Sequence, residues 1–218
     1  SVRILEKNTV GGATSHGNCG TITPSHAIPL AAPGMIGKAL RYMTQTDAPF
    51  YVKPSTDLAL LEWLLRFSLR CNAKDMHQGA LAKSSLLNGS RALLQTTIEH
   101  HQIDCAFSAS GVMYAFNSQQ GLDDMLLELA LLRECGVRSE VLSAAELAQR
   151  EPALKPTMAG GVFFPDDAHF RPDAYCAGLA RLVRELGGVI DEYCEVQALH
   201  CQAGKIQAVQ TNLGNYAA

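Results

Sequence analysis

Between residues 8 and 37 the chain has no Asp, Glu, Lys or Arg. This stretch follows a short apolar run, Val2-Arg3-Ile4-Leu5, that ends on an acid and a base, Glu6-Lys7. The run reads as a short buried strand of β-branched and aliphatic residues. A buried strand that stops at an acid is how a dinucleotide-binding sheet presents a carboxylate to a ribose. After it come Gly11-Gly12 and a segment of small residues from Ala13 to Pro24, suited to pass close to a partner. A long ordered loop of that kind usually carries function. The glycine turn G-x-G-x-x-G that should precede such an acid by about 20 residues is absent from the sequence. The expectation is therefore part of a nucleotide-cofactor enzyme, entered just after its phosphate-binding loop, with the first strand and a C-terminal part missing.

The bulk properties narrow the class. A chain of 218 residues is one large or two small domains, long enough to bury a core. A net charge of −3 gives no basic field for nucleic acid. The seven cysteines are odd in number and show no C-x-x-C spacing, which argues against a zinc ribbon or a disulfide framework and suits a reducing cytoplasm. No signal peptide is visible, and residues 8–37 are too rich in Gly, Pro, Ser and Thr to cross a membrane. Attachment to a membrane surface stays open.

Periodicity predicts helices over 35–43, 58–70, 75–101, 119–135, 144–150 and 172–186. Ser55-Thr56-Asp57 would cap the second, and Ala48-Pro49 and Lys53-Pro54 break the pattern before it. Ser143-Ala-Ala-Glu146 is a capping box. The Leu-rich helices 58–70 and 119–135 read as core or packing faces rather than membrane anchors. Strands are expected within 105–116, hinged near Gly111, and over 160–164, 189–193, 195–201 and 206–211, the last two as a hairpin around Ala203-Gly204. The order of elements argues α/β or α+β with interleaved segments. The helix-then-strand unit 172–193 can return the chain to the sheet begun by Val2–Leu5. The resulting division places a cofactor domain at 1–74 and 169–218, with 75–168 inserted as a substrate-domain segment.

Several motifs then coincide: Ile4-Leu-Glu6-Lys7, Ala13-Thr-Ser15, Asn18-Cys-Gly20, Ala31-Ala-Pro-Gly34, Trp63-Leu-Leu-Arg-Phe67, Gly111-Val-Met-Tyr114, Glu151-Pro-Ala-Leu154 and the segment Gly161–Arg171. Together they resemble the flavin-dependent D-amino-acid dehydrogenases, of the wider D-amino-acid oxidase and glycine oxidase group, over essentially the whole chain. The resemblance implies an FAD-binding Rossmann-like domain with an interleaved α+β substrate domain. It implies oxidative deamination of a D-amino acid to an oxo acid and ammonia, by hydride transfer to FAD. Dehydrogenase members of the group pass electrons to a membrane quinone chain, so a respiratory acceptor, oligomerisation and peripheral contact with the inner membrane from the cytoplasm belong to the same expectation. The chain as it stands is not expected to turn over substrate.

The resemblance assigns cofactor contacts to Glu6 (ribose hydroxyls), Lys7, Thr14, Ser15, Asn18, Gly20 and the backbone of Val196. Short hydroxyls and bare backbone can approach phosphate and flavin oxygens where bulky side chains cannot. His26, Tyr114 and His169 are the weaker substrate-side candidates, and no residue is assigned as the catalytic base. His16 is a loop histidine of the same kind as His26. Asp166, Asp167, His169 and Arg171 fit a turn and helix start rather than a metal site, and no metal is expected. Two other readings stay open: an FAD-dependent oxidase or dehydrogenase subunit acting on glycine, sarcosine, proline or hydroxyproline, and a truncated non-catalytic homologue.

Overall fold

A computed structural model describes residues 2–43, 53 and 55–217. The expected breaks at Ala48-Pro49 and Pro54 lie outside the described residues. The chain forms two compact units. One comprises residues 1–22, 93–109 and 168–218, the other 23–92 and 110–167.

In the first unit, β1 (Arg3–Leu5) pairs in parallel with β7 (Val189–Asp191), Ile4 opposite Ile190. The helix that delivers β7 is α6 (Pro172–Glu185), started by a proline at its first turn and closed by Gly187 at φ 79°. Parallel strands need such a crossover. The expected return of the chain to the first strand is therefore present. The expectation of a buried β1 is not met: Ile4 is 40% exposed. A three-residue run pairing with one described neighbour cannot cover both its faces.

The unit's core is Ile98, Ile103 and Cys105, packed by Phe107, Phe170, Leu179 and Leu182. The edge pair β2 (Thr21–Ile22) and β6 (Ala168–His169) is antiparallel. The expected hairpin appears as β8 (Val196–Gln202) and β9 (Lys205–Thr211), and an additional strand, β10 (Gly214–Ala217), extends it to a meander. Ala203 and Gly204 both have positive φ, 50° and 75°, the geometry a two-residue hairpin turn demands.

In the second unit a three-stranded antiparallel sheet runs β3 (Val112–Phe116), β5 (Gly160–Phe164), β4 (Glu140–Ser143). The sequence reading did not anticipate β4, whose Glu-Val-Leu-Ser run is short and unpunctuated. Helix α4 (Gln119–Glu134) buries Leu122, Leu129 and Leu132 against Val162 and Phe164. Its next neighbour, α5 (Ala144–Arg150), opens with the anticipated capping box, both hydrogen bonds made.

Helix α1 (Met35–Tyr42) and helix α2 (Leu58–Arg70) bury none of their residues. α2 is capped by Asp57, as expected, but Leu58 is 79% exposed, so the expected core role is not met. Its sequence LALLEWLLRFSLR is apolar nearly all round, more than one face can bury. Helix α3 (Ala73–His101) begins two residues before the periodicity suggests. No helix among the described residues is long and apolar enough to cross a membrane.

Candidate functional site

The first unit holds an open cleft of about 680 Å³ at the end of β1. Its lining includes Ile4, Glu6, Val10, Thr14 and Ser15, with Cys176 of α6. Glu6 sits one residue past the strand. Its N–H donates to the Asp191 carbonyl (2.9 Å), and its own carbonyl accepts from Cys194 (2.8 Å). The carboxylate is thus fixed at the strand end, with Oε1 accepting the Asn8 N–H at 2.8 Å. Gly11 has φ 72°, and a Cβ there would lie 2.9 Å from the Cys176 Cβ, so loop and helix pass at backbone distance. This arrangement fits the ribose side of a dinucleotide: an acceptor pair at a parallel strand end with two short hydroxyls beside it.

The other cofactor candidates sit differently. Lys7 turns to Glu195 (2.6 Å), and that hydrogen-bonded ion pair holds its ammonium above the ordinary value. Asn18 Oδ1 accepts the Gly20 N–H at 2.8 Å, a local Asx turn. Gly20 is buried at φ 67°, and a Cβ there would fall 2.0 Å from the Phe170 carbonyl oxygen, so its bareness serves chain packing. Val196 opens β8 opposite Thr211, exposed. None of these four is among the residues lining the cleft.

The second unit holds a cleft of about 650 Å³ whose lining includes Ser25, His26, Lys38, Lys83, Tyr114 and Glu128. Tyr114 stands on β3, edge-on to the buried Phe164 ring (centroids 5.5 Å, 87°). His26 lies on a single 3₁₀ turn, Pro24–Ala27, and its Nε2 hydrogen-bonds the Tyr114 hydroxyl. Beneath them, Asp167 is 0% exposed. It accepts from the Ser25 N–H at 3.1 Å and from the Ser25 hydroxyl at 2.6 Å. Burial pushes the Asp167 carboxyl up, while the Ser25 hydrogen bonds pull it down. Burial also raises the Tyr114 phenol, the Asp167 charge adds to this, and the Ser25 hydroxyl opposes it. Burial raises the Glu128 carboxyl against the pull of Lys38.

Of the substrate-side candidates, then, the structure brings His26 and Tyr114 together. His169 belongs to the first unit, where it pairs with Thr21 and bridges to Ser108. His16 is an exposed loop residue. Ser25 and Asp167 are members of the cluster that the sequence does not reveal, because 142 residues separate them. Asp166, as expected, belongs to a turn; its carboxylate is bound by the Arg138 guanidinium. No group of His, Cys, Asp and Glu among the described residues is arranged to hold a metal ion.

A parallel strand pair ending in an acid that lines a cleft is the arrangement found in nucleotide-cofactor folds. The chain belongs to the FAD dependent oxidoreductase (DAO) family, whose sequence profile matches residues 1–218. A D-amino acid dehydrogenase of Vibrio cholerae serotype O1 is 32% identical over 217 residues, 98% of this chain and 52% of its own length. One from Vibrio vulnificus is 28% identical over 204 residues, 92% of this chain and 49% of its own. The chain spans about half the length of these curated relatives. Glycine oxidase from Geobacillus kaustophilus superposes with a TM-score of 0.65 at 20% identity, covering 100% of this chain and 46% of that one. Mycoplasma pneumoniae L-alpha-glycerophosphate oxidase, solved with FAD bound, gives 0.63 at 14% identity, covering 97% and 43%. Both superpositions support the mixed α/β flavoprotein fold.

Proposed function

We propose that this chain is part of a flavoenzyme that oxidatively deaminates a D-amino acid to an oxo acid and ammonia. The observation that carries this reading is the family match across residues 1–218, with dehydrogenase relatives aligned over nearly the same span. Glu6, Thr14 and Ser15 would hold the adenosine side of FAD, with Lys7, Asn18, Gly20 and the Val196 backbone contributing around it. The flavin, when bound, supplies a hydride acceptor. The chain's own residues bind and orient: Glu6 accepts ribose hydroxyls, and the short hydroxyls of Thr14 and Ser15 stand beside it in the same cleft. We assign the cofactor part to residues 1–74 and 169–218 and the substrate part to 75–168. The compact units coincide with this division over 1–22, 75–92, 110–167 and 169–218 and depart from it over 23–74, 93–109 and 168, so that His26 and Ile28 fall with the substrate part.

His26 and Tyr114, with the apolar wall of Ile28, Met76 and Met125, offer a site for a small amino acid, and we place the substrate there. A respiratory quinone as electron acceptor, with a peripheral cytoplasmic position on the inner membrane and self-association, completes the proposal. Co-sedimentation of the protein with inner-membrane vesicles, and reduction of an added quinone, test that part.

The central test is the absorbance spectrum of the purified flavoprotein of natural length, before and after anaerobic addition of D-amino acids. Flavin bands that bleach on addition are the expected outcome. A colourless protein that fails to bind added FAD rejects the reading. Bleaching by glycine, sarcosine or proline but not by D-amino acids moves the substrate within the family.

A further inference from the structure

The turn after β7 holds the loop after β1. Glu6 is gripped through both ends of its backbone: its N–H donates to the Asp191 carbonyl (2.9 Å), and its carbonyl accepts from the Cys194 N–H (2.8 Å). Two residues on, the Asn8 carbonyl accepts from the Tyr193 N–H (3.0 Å). Two further on, the Val10 N–H donates to Glu192 Oε1 at 2.7 Å. The run Asp191 to Cys194 thus meets every second residue from Glu6 to Val10. The contacts of Asp191, Tyr193 and Cys194 join backbone to backbone, so many side chains would allow them. That of Glu192 depends on its carboxylate, and it links positions 182 residues apart.

Glu192 is half-buried and is not among the residues lining the cleft, whereas Val10 is. Past Val10 the loop closes on itself in local turns, Gly12 N–H to Thr9 (3.0 Å) and His16 N–H to Ala13 (3.1 Å). This is the stretch that brings Gly11 against Cys176 and places Thr14 and Ser15 in the cleft. The turn bearing Glu192 is itself braced. Tyr193 has φ 56°, a conformation that a non-glycine residue keeps only where its surroundings impose it. Asn212 supplies the brace: its Nδ2 donates to the Tyr193 carbonyl (3.0 Å), and its Oδ1 accepts from the Glu195 N–H (2.7 Å). Tyr193 is 64% exposed, so the twist serves these backbone contacts and not the burial of its ring. A carboxylate that accepts a backbone N–H makes a charge-assisted bond, stronger than a neutral one. By Coulomb's law alone, however, a further negative charge near the site of an anionic dinucleotide is unfavourable. A tether and a bare charge therefore predict opposite effects when Glu192 is removed.

We propose that Glu192 is a positioning residue for the cofactor: by holding the Val10 N–H it presets the loop carrying Gly11, Thr14 and Ser15, so that the adenosine side of FAD meets a loop already in place. The inference rests on the reading of this cleft as the FAD site. Glu192 acts through Val10 and touches no cofactor. A loop fixed beforehand has less conformational entropy to lose on binding, and the difference appears as affinity.

Three substitutions separate reach from charge. Glu192→Gln keeps the reach and an acceptor oxygen but removes the charge. Glu192→Asp keeps the charge and shortens the reach by one methylene. Glu192→Ala removes both. FAD, and ADP as a probe that carries the adenosine and phosphates without the flavin, are titrated by calorimetry into the flavin-stripped protein of natural length. Amide exchange over residues 9–15 is followed without ligand, and thermal midpoints are measured alongside. Glu192→Ala and Glu192→Asp should bind both FAD and ADP about tenfold more weakly, the scale of one charge-assisted hydrogen bond, with faster exchange over 9–15. Glu192→Gln should stay within about threefold of the unaltered protein in both. Should Glu192→Ala fail to fold, the contrast between Asp and Gln decides alone. FAD affinity unchanged in Glu192→Asp, Gln as weak as Asp, tighter binding in Gln, or affinities that fall only in step with the thermal midpoint each overturn the proposal while leaving the cleft as the FAD site. If the unaltered protein binds neither FAD nor ADP, the reading of the cleft falls as well.

Discussion

Gly20 illustrates how one residue type can have two explanations. In the sequence it belongs to a small polar stretch suited to a cofactor. In the structure its positive φ and its approach to the Phe170 carbonyl already require glycine. Gly20→Ala would combine left-handed strain with a backbone clash, and should cost roughly 2–4 kcal/mol of stability, read by denaturant unfolding. Asp166 gives a prediction in pH. The hydrogen bond and charge of Arg138 hold its carboxyl below the ordinary value. The stabilisation is therefore complete above the ordinary carboxylate range near pH 4, and is lost as pH falls through the lowered folded value. Arg138→Met should lower stability at neutral pH, and the gap to the unaltered protein should close on acidification, followed as thermal midpoints across pH. Residues paired nearby were legible in the sequence, as in the capping box of Ser143 and Glu146. The Ser25–Asp167 pair was not, because no local pattern links two positions 142 residues apart.

Among elements, α4 and α2 show what periodicity can and cannot tell. Both are Leu-rich and both form where the pattern places them, one between Ser118 and Cys135, the other after Asp57. Only α4 meets a sheet. Leu129, 1% exposed, packs there with Val162 and Phe164. Leu129→Ala should cost about 2–5 kcal/mol and raise amide exchange across β3 and β5. The matching change Leu65→Ala in α2 should be nearly neutral. A helical repeat announces an apolar face, but whether a sheet waits for that face is decided by distant segments. The parallel pairing of β1 with β7 could be anticipated because a helix followed by an apolar run is the usual way to lay a parallel strand beside an earlier one. The short strands β2, β4, β6 and β10 carry too few residues for any period to emerge.

At the scale of the whole 218-residue chain, α1 and α2 leave apolar surface uncovered. Leu40, Leu58, Leu65, Leu69 and Trp63 are all more than half exposed, and Trp63 stacks on Phe67 at 5.3 Å. Exposed apolar patches of this kind favour association. The 218-residue chain should sediment as larger species with rising concentration. Its only tryptophan should report this as a blue shift with loss of quencher access. Leu65→Lys with Leu69→Lys should keep it monomeric over the same range. A monomeric, readily quenched protein at all concentrations would show that these helices pack otherwise.

The pairing of Ile4 with Ile190 also sets a clock. On a ribosome adding about 5–20 residues per second, the first strand waits roughly 10–40 seconds for its partner to be made. The 23–92 and 110–167 segments are complete before that partner exists. Throughout that interval the nascent chain carries an open strand edge. Slowing translation downstream of residue 167 should lengthen the period in which a chaperone can be crosslinked to Ile4, while leaving crosslinks to Leu129 unchanged.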